Sequence, residues 1–305
     1  MKRKFPLATD IESEALWDIK AFCDVMDEKR RRNEELLRSL MREMDGIPVL
    51  SLESISWINI LELSKEVDAF DWTLLESVFA QLLKGDCRIE GVTLATSMSG
   101  KLTGVELSDR VQERIYEGMK KLLGLPVTTT CPVENGEMKR SAPMLSSSLI
   151  SGSVDGKEFH NYVVFPSEMM YSYSVDMHCL VIVPREMLAV PVKNTLEHTV
   201  LLRTMMRMVA PYCFGMQAKY QTEDECHVKI EYQTLVDAVR SVSPETEQDT
   251  ETFRKEVLDT AHTILAAWKE DGYVTKWTDI PAGRQKAEGK NNGFINITLC
   301  AAEEN

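Results

Sequence analysis

One stretch limits the possible folds more than any other: Glu251–Glu270, free of Gly and Pro, followed at once by Gly272 and two short extended segments. Phe253, Val257, Ala261, Ile264, Leu265 and Trp268 recur at helical spacing, so this helix must lay one face on a core. Tyr273–Asp279 and Gly293–Leu299 read as strands, and in the second Ile295, Ile297 and Leu299 alternate onto one side. Ile280–Asn292 between them is a loop rich in Gly, Lys and Asn. Upstream, Asn194–Ala210 reads as a helix capped by Asn194 or Thr195, His227–Glu231 as a strand and Thr234–Val242 as a short helix.

The first half follows the same order. Ile55–Ser64 and Trp72–Lys84 read as helices, the second capped by Asp71 and stopped by Gly85. Leu107–Leu123 is an amphipathic helix with Ser108 as its cap and Gly124 as its stop. Pro126–Cys131, Leu145–Gly152 and Glu158–Phe165 are extended, the last two joined by a turn at Val154-Asp155-Gly156. Glu134–Arg140 reads as a polar loop. No residue-level identity links the halves; the repeat is one of order, helices and then a hairpin.

Ahead of both halves, Ile11–Met44 reads as one long helix. Ile19, Met26, Asn33 and Leu40 keep seven-residue spacing, as do Leu16, Cys23, Arg30, Leu37 and Met44. Asn33 suits a dimeric coiled-coil seam, whereas Arg30 spoils it. Packing on the protein's own body is therefore expected, with a homodimer through this helix as the alternative. The expected organisation is an N-terminal helix over 1–46, a first domain over 47–190 and a second over 191–305, in the α+β class.

The 305 residues carry 35 Lys+Arg against 48 Asp+Glu, a formal charge of −13, with 44% hydrophobic residues. That composition belongs to a folded globular chain. The apolar runs are too short to span a bilayer. No signal-peptide core follows Met1–Pro6, and seven scattered cysteines fit reduced thiols, so a cytoplasmic protein is expected. The acidic excess speaks against DNA, whose phosphates demand positive charge.

The distribution of charge speaks for it. Two helices and a hairpin with a basic loop form the pattern of a winged helix, in which the second helix enters the major groove and the hairpin tip meets the backbone. Lys255, His262 and Lys269 fall on one flank of the Glu251–Glu270 helix, with Asp259 and Glu270 farthest from the apolar stripe. Arg284, Lys286 and Lys290 lie in the following loop. In the first half Arg110, Arg114 and Lys121 fall within about 40° of one another on their helix. Lys139 and Arg140 sit in the corresponding hairpin. These eleven residues are the expected DNA contacts.

The arrangement resembles the plasmid replication initiators built from two winged-helix domains. The resemblance rests on Leu107–Leu123, on Asn194–Val209 with its Leu201-Leu202-Arg203, and most on Thr252–Trp268 followed by Gly293–Leu299. Phe253-Arg254-Lys255 and Val257-Leu258-Asp259-Thr260-Ala261 fit that family's C-terminal helix; the aromatic usual after Leu in its inter-domain helix is missing, and the family is commonly basic. The resemblance implies binding to direct repeats in duplex DNA at an origin, contact with a helicase or other replication proteins, and a monomer–dimer balance.

A second class fits the net charge better: an acidic tandem winged-helix interaction subunit, like the accessory subunits of chromosome-condensing complexes. For an enzyme the residues offer little. Ser99-Gly100-Lys101 lacks the spacing of a phosphate loop and is followed by Leu102. His178-Cys179 and Cys226-His227 have no CxxC or HxxxH beside them, and His160 and His198 have no nucleophile arranged with an acid. No catalytic residue, metal or cofactor is expected.

Overall fold

The computed structural model describes residues 13–51, 66–99, 109–133, 136–154, 157–165, 170–176, 178–214, 226–243, 250–281 and 293–299. The Ile55–Ser64 helix and the Ile280–Asn292 loop beyond Pro281 lie outside them. Chain order begins with helix α1 (Ser13–Glu43), strand β1 (Gly46–Leu50), α2 (Ala69–Lys84), β2 (Arg88–Glu90), α3 (Gly91–Ser99) and α4 (Asp109–Gly124). Two hairpins follow, β3 (Pro126–Val133) with β4 (Gly136–Pro143) and β5 (Ser146–Val154) with β6 (Lys157–Phe165). Then come α5 (Met170–Asp176), β7 (Leu180–Pro184), a short 3-10 turn, α6 (Leu196–Phe214), β8 (Cys226–Glu231), α7 (Tyr232–Arg240), α8 (Thr250–Glu270), β9 (Val274–Ile280) and β10 (Phe294–Leu299). The fold is α+β, with small antiparallel sheets.

Both halves share one connectivity. In the second, α6–β8–α7–α8–β9–β10 builds a three-stranded sheet of order β8-β10-β9. In the first, α2–β2–α3–α4–β5–β6 builds a sheet of order β2-β6-β5, with the β3–β4 hairpin inserted after α4. Each time the early single strand pairs with the last strand, and the middle strand takes the edge. The short β2 and α3, which lack clear periodicity, complete the match.

Helix α2 is the centre of the molecule, buried from Phe70 to Leu83. Its N-terminus is a capping box: Asp71 N–H donates to Asp68 Oδ1 and Asp68 N–H to Asp71 Oδ2, each at 3.0 Å. The cap is thus Asp68, three residues before the expected Asp71. At the other end Gly85, at φ 89°, takes the left-handed position that closes a helix.

Two apolar cores result. The first gathers α2, α3, α4 and their sheet around Phe70, Leu74, Phe79, Ile115 and Tyr162. The second gathers α6, α7, α8 and theirs around Met205, Leu235, Leu265, Trp268 and Ile297. The antiparallel β1–β7 ribbon lies between them, giving Leu50 and Leu180 to the first core and Ile47, Val49, Val181 and Val183 to the second. A Cβ at Gly46 would meet Ile182 Cγ2 at 2.4 Å, so the ribbon's first pair closes only around glycine.

The C-terminal part of α1 docks on this body. Arg30 pairs with Asp176 at 3.1 Å, Asn33 Nδ2 donates to Val175 O at 3.3 Å and Arg38 Nε to Leu83 O at 2.7 Å. Leu37 and Met41 pack on the first core. The two polar residues that interrupt the heptad series thus bind α5. No helix among the described residues is long and apolar enough to cross a membrane.

Candidate nucleic-acid interface

The basic stripe of α4 sits in a junction. Spacing of four and seven residues puts Arg110, Arg114 and Lys121 on one flank, and that flank faces two helix ends. One is the C-terminus of α7, whose last carbonyls have no partner inside the helix. Arg110 Nη2 donates to Val242 O at 2.8 Å and to Ser243 Oγ at 3.2 Å, and lies 3.5 Å from Glu197. Arg114 Nη2 donates to Ser241 O at 3.2 Å. The other end is the N-terminus of α2: Arg114 pairs with Asp68 at 2.8 Å, and Lys121 with Asp71 at 2.5 Å. Arg114 also lies over the Phe70 ring, 4.3 Å from its centroid.

The stripe expected to meet DNA makes internal bonds, to different extents. Arg114 keeps 20% of its side-chain exposure, Lys121 36% and Arg110 66%. Electrostatics explain the attraction: Asp71 is fully buried, and burial, then Asp68, pushes its carboxyl above the usual range, while the Lys121 hydrogen bond pulls it back. Glu197 shows the reverse balance. Burial raises it, but bonds from Ser243 and Thr195 and the Arg110 charge win, and its pKa falls.

In the second half the expected flank of α8 is divided. His262 Nε2 lies 3.0 Å from Asp279 Oδ2, and its ring stacks on Trp277 with centroids 6.5 Å apart. Lys269 Nζ stands 6.0 Å from the Trp277 centroid. Both therefore turn onto β9. Lys255 is exposed. Since Trp277 neighbours Lys269 and Asp279 neighbours His262, β9 runs back along the flank toward Lys255. It enters the 281–292 loop about 10 Å short of that lysine. Arg284, Lys286 and Lys290 belong to that loop, outside the described residues.

The root of the loop is braced. Tyr232 OH donates to Asp279 Oδ1 at 3.0 Å, and burial with this bond pushes the phenol up to about 12. The Tyr232 ring passes against Gly293, where a Cβ would meet Cε2 at 2.6 Å and φ is +42°. Phe294 pairs with Ile280 directly above.

Lys139 and Arg140 were expected in a loop; they lie in strand β4, opposite Thr130 and Thr129. The segment is a strand because its partner β3, a run of Thr and Val, continues to Val133 and the chain turns back at once. Sequence reading passed over other exposed cations: Lys120 on α4, and Lys229 and Lys276 on the outer side of the second sheet. Lys229 Nζ lies 4.0 Å from the Phe294 centroid. The period-2 pattern of His227, Lys229 and Glu231 around buried Val228 and Ile230 was the available signal.

No protein-family model and no curated protein matches the sequence. Among the described residues no cluster of three or more His, Cys, Asp or Glu is placed to hold a metal ion. The outward face of α8 carries exposed Glu251, Glu256, Asp259 and Glu270 beside Lys255 and Lys269. Groove entry by this helix would set those carboxylates against phosphate.

Proposed function

We propose that the chain is a double-stranded DNA-binding protein of two winged-helix units, acting without covalent chemistry as a replication initiator at origin repeats in the cytoplasm. The observation that carries this reading is the connectivity, found twice: helix, strand, two helices and a hairpin, with the first strand beside the last. In each unit the last two strands follow the third helix, the order found in modules that straddle a groove and its flanking phosphates.

On this reading the second unit makes the contacts. Lys255 on α8 and the cations Arg284, Lys286 and Lys290 of the following segment supply the phosphate contacts, and the Tyr232–Asp279–His262 bonds hold the end of β9 from which that segment starts. The first unit braces it through Arg110 and Arg114, and its exposed Lys120 and the Lys139 and Arg140 of its β3–β4 hairpin add only a minor share of phosphate contact. Helicase or other replication proteins are the partners this role requires. The test is binding of the purified chain to a labelled duplex of direct repeats; absence of binding at low salt overturns it.

The acidic outward face of α8 favours a second reading, an interaction subunit that uses the same two units to bind protein. Co-purification of a basic partner together with no duplex affinity would select it.

A further inference from the structure

Where α2 meets α6, two guanidinium groups share one carboxylate inside the protein. Arg203, Arg207 and Glu76 are all buried, Arg203 and Glu76 fully. Glu76 is already committed. Its Oε1 accepts from Arg207 Nε at 2.9 Å and from Leu50 N–H at 3.0 Å, and its Oε2 from Arg207 Nη2 at 3.2 Å. Arg207 Nη2 also reaches Thr73 Oγ1 at 3.2 Å. Arg203 receives only the remainder: its Nε lies 3.6 Å from Glu76 Oε2, too far for a hydrogen bond. Among the described residues none of its three nitrogens has a hydrogen-bond partner.

A guanidinium does not shed its proton to escape burial. Burial opposes its charged form most, Glu76 favours it, and the Arg207 charge opposes it again. The trio carries one positive charge in excess, and among the described residues nothing accepts the five N–H donors of Arg203. Water would satisfy donors but leave the charge. A small anion does both, in about the volume of one water molecule.

We propose that Arg203, with Arg207 beside it, binds a monatomic anion of the chloride type at the junction of the two units. Because Glu76 and Thr73 belong to α2 and both arginines to α6, the ion would hold the two halves together and make their packing depend on halide. A larger oxyanion does not suit a side chain with no exposed surface.

The experiment is thermal unfolding of the full chain in sodium chloride against sodium gluconate at fixed ionic strength and pH. The expected result is a higher Tm in chloride, rising about 2 °C for each tenfold increase above the dissociation constant. Bromide should substitute, and Arg203→Met should remove the difference. Crystals grown in bromide provide the second measurement, with an anomalous peak expected against Arg203. Equal Tm values in the two salts with no such peak would overturn the proposal. A chloride effect that persists in folded Arg203→Met would do so too. If that variant does not fold, the bromide peak decides: at Arg203 it supports the site, elsewhere it refutes it.

Discussion

Arg114 of α4 donates to the main-chain carbonyl of Ser241, at the end of α7, across 3.2 Å, while holding Asp68 of the α2 cap at 2.8 Å. One side chain thus closes a helix end in the second half and braces a helix start in the first. A charged donor also satisfies a backbone acceptor better than a neutral one. Arg114→Ala should lower the unfolding free energy by about 1–3 kcal/mol, because both acceptors lose a charged donor. Urea denaturation reads this directly; an unchanged midpoint would show the contact to be incidental.

Glu197 supplies a pH signature for the same junction. Its folded pKa lies below the ordinary 4.5, so its contribution is complete above that value and is lost as pH falls through the folded pKa. Glu197→Gln should therefore be less stable than the native chain at pH 7, with the gap narrowing below about pH 4.5. Paired urea midpoints from pH 3 to 7 would show it, and a gap independent of pH would contradict it.

Gly293 lies at the root of the long loop with a positive φ and the Tyr232 ring 2.6 Å from any added Cβ. Gly293→Ala should cost about 1–3 kcal/mol, through strained backbone and overpacking together. Adding Tyr232→Leu should recover part of that loss. If the single variant melts with the native chain, the ring does not set the loop's root.

The order of the longer elements was legible because it rests on periodicity, whereas the short β1, β2, α3, α5 and β7 were missed because they are too short to show a period. The apolar faces of α4 and α8 and the alternation of β10 appear in the residues themselves, and so does the repetition of helices and hairpin. Contacts made by polar atoms were not. Arg110, Arg114 and Lys121 look like a solvated basic stripe until the Ser241 and Val242 carbonyls just past α7 and the Asp68–Asp71 cap arrive opposite them, and those partners are far away in sequence. Arg30 and Asn33 read as heptad positions but bind Asp176 and Val175. The β3–β4 hairpin was half seen, since β4's mix of charges and small residues has no alternating signature. Charge at helical spacing gives the face of a helix, and the structure decides whether water, protein or DNA meets it.

The most direct test of the account is duplex affinity as a function of salt. Fluorescence anisotropy with a direct-repeat duplex compares the native chain with a variant in which Lys255, Arg284, Lys286 and Lys290 are replaced by Ala. Four phosphate contacts predict a slope of log K against log salt of about −3 to −4, flattening toward zero in the variant. A native slope near zero, or one the four replacements leave unchanged, would contradict the assignment of DNA contact to the second unit.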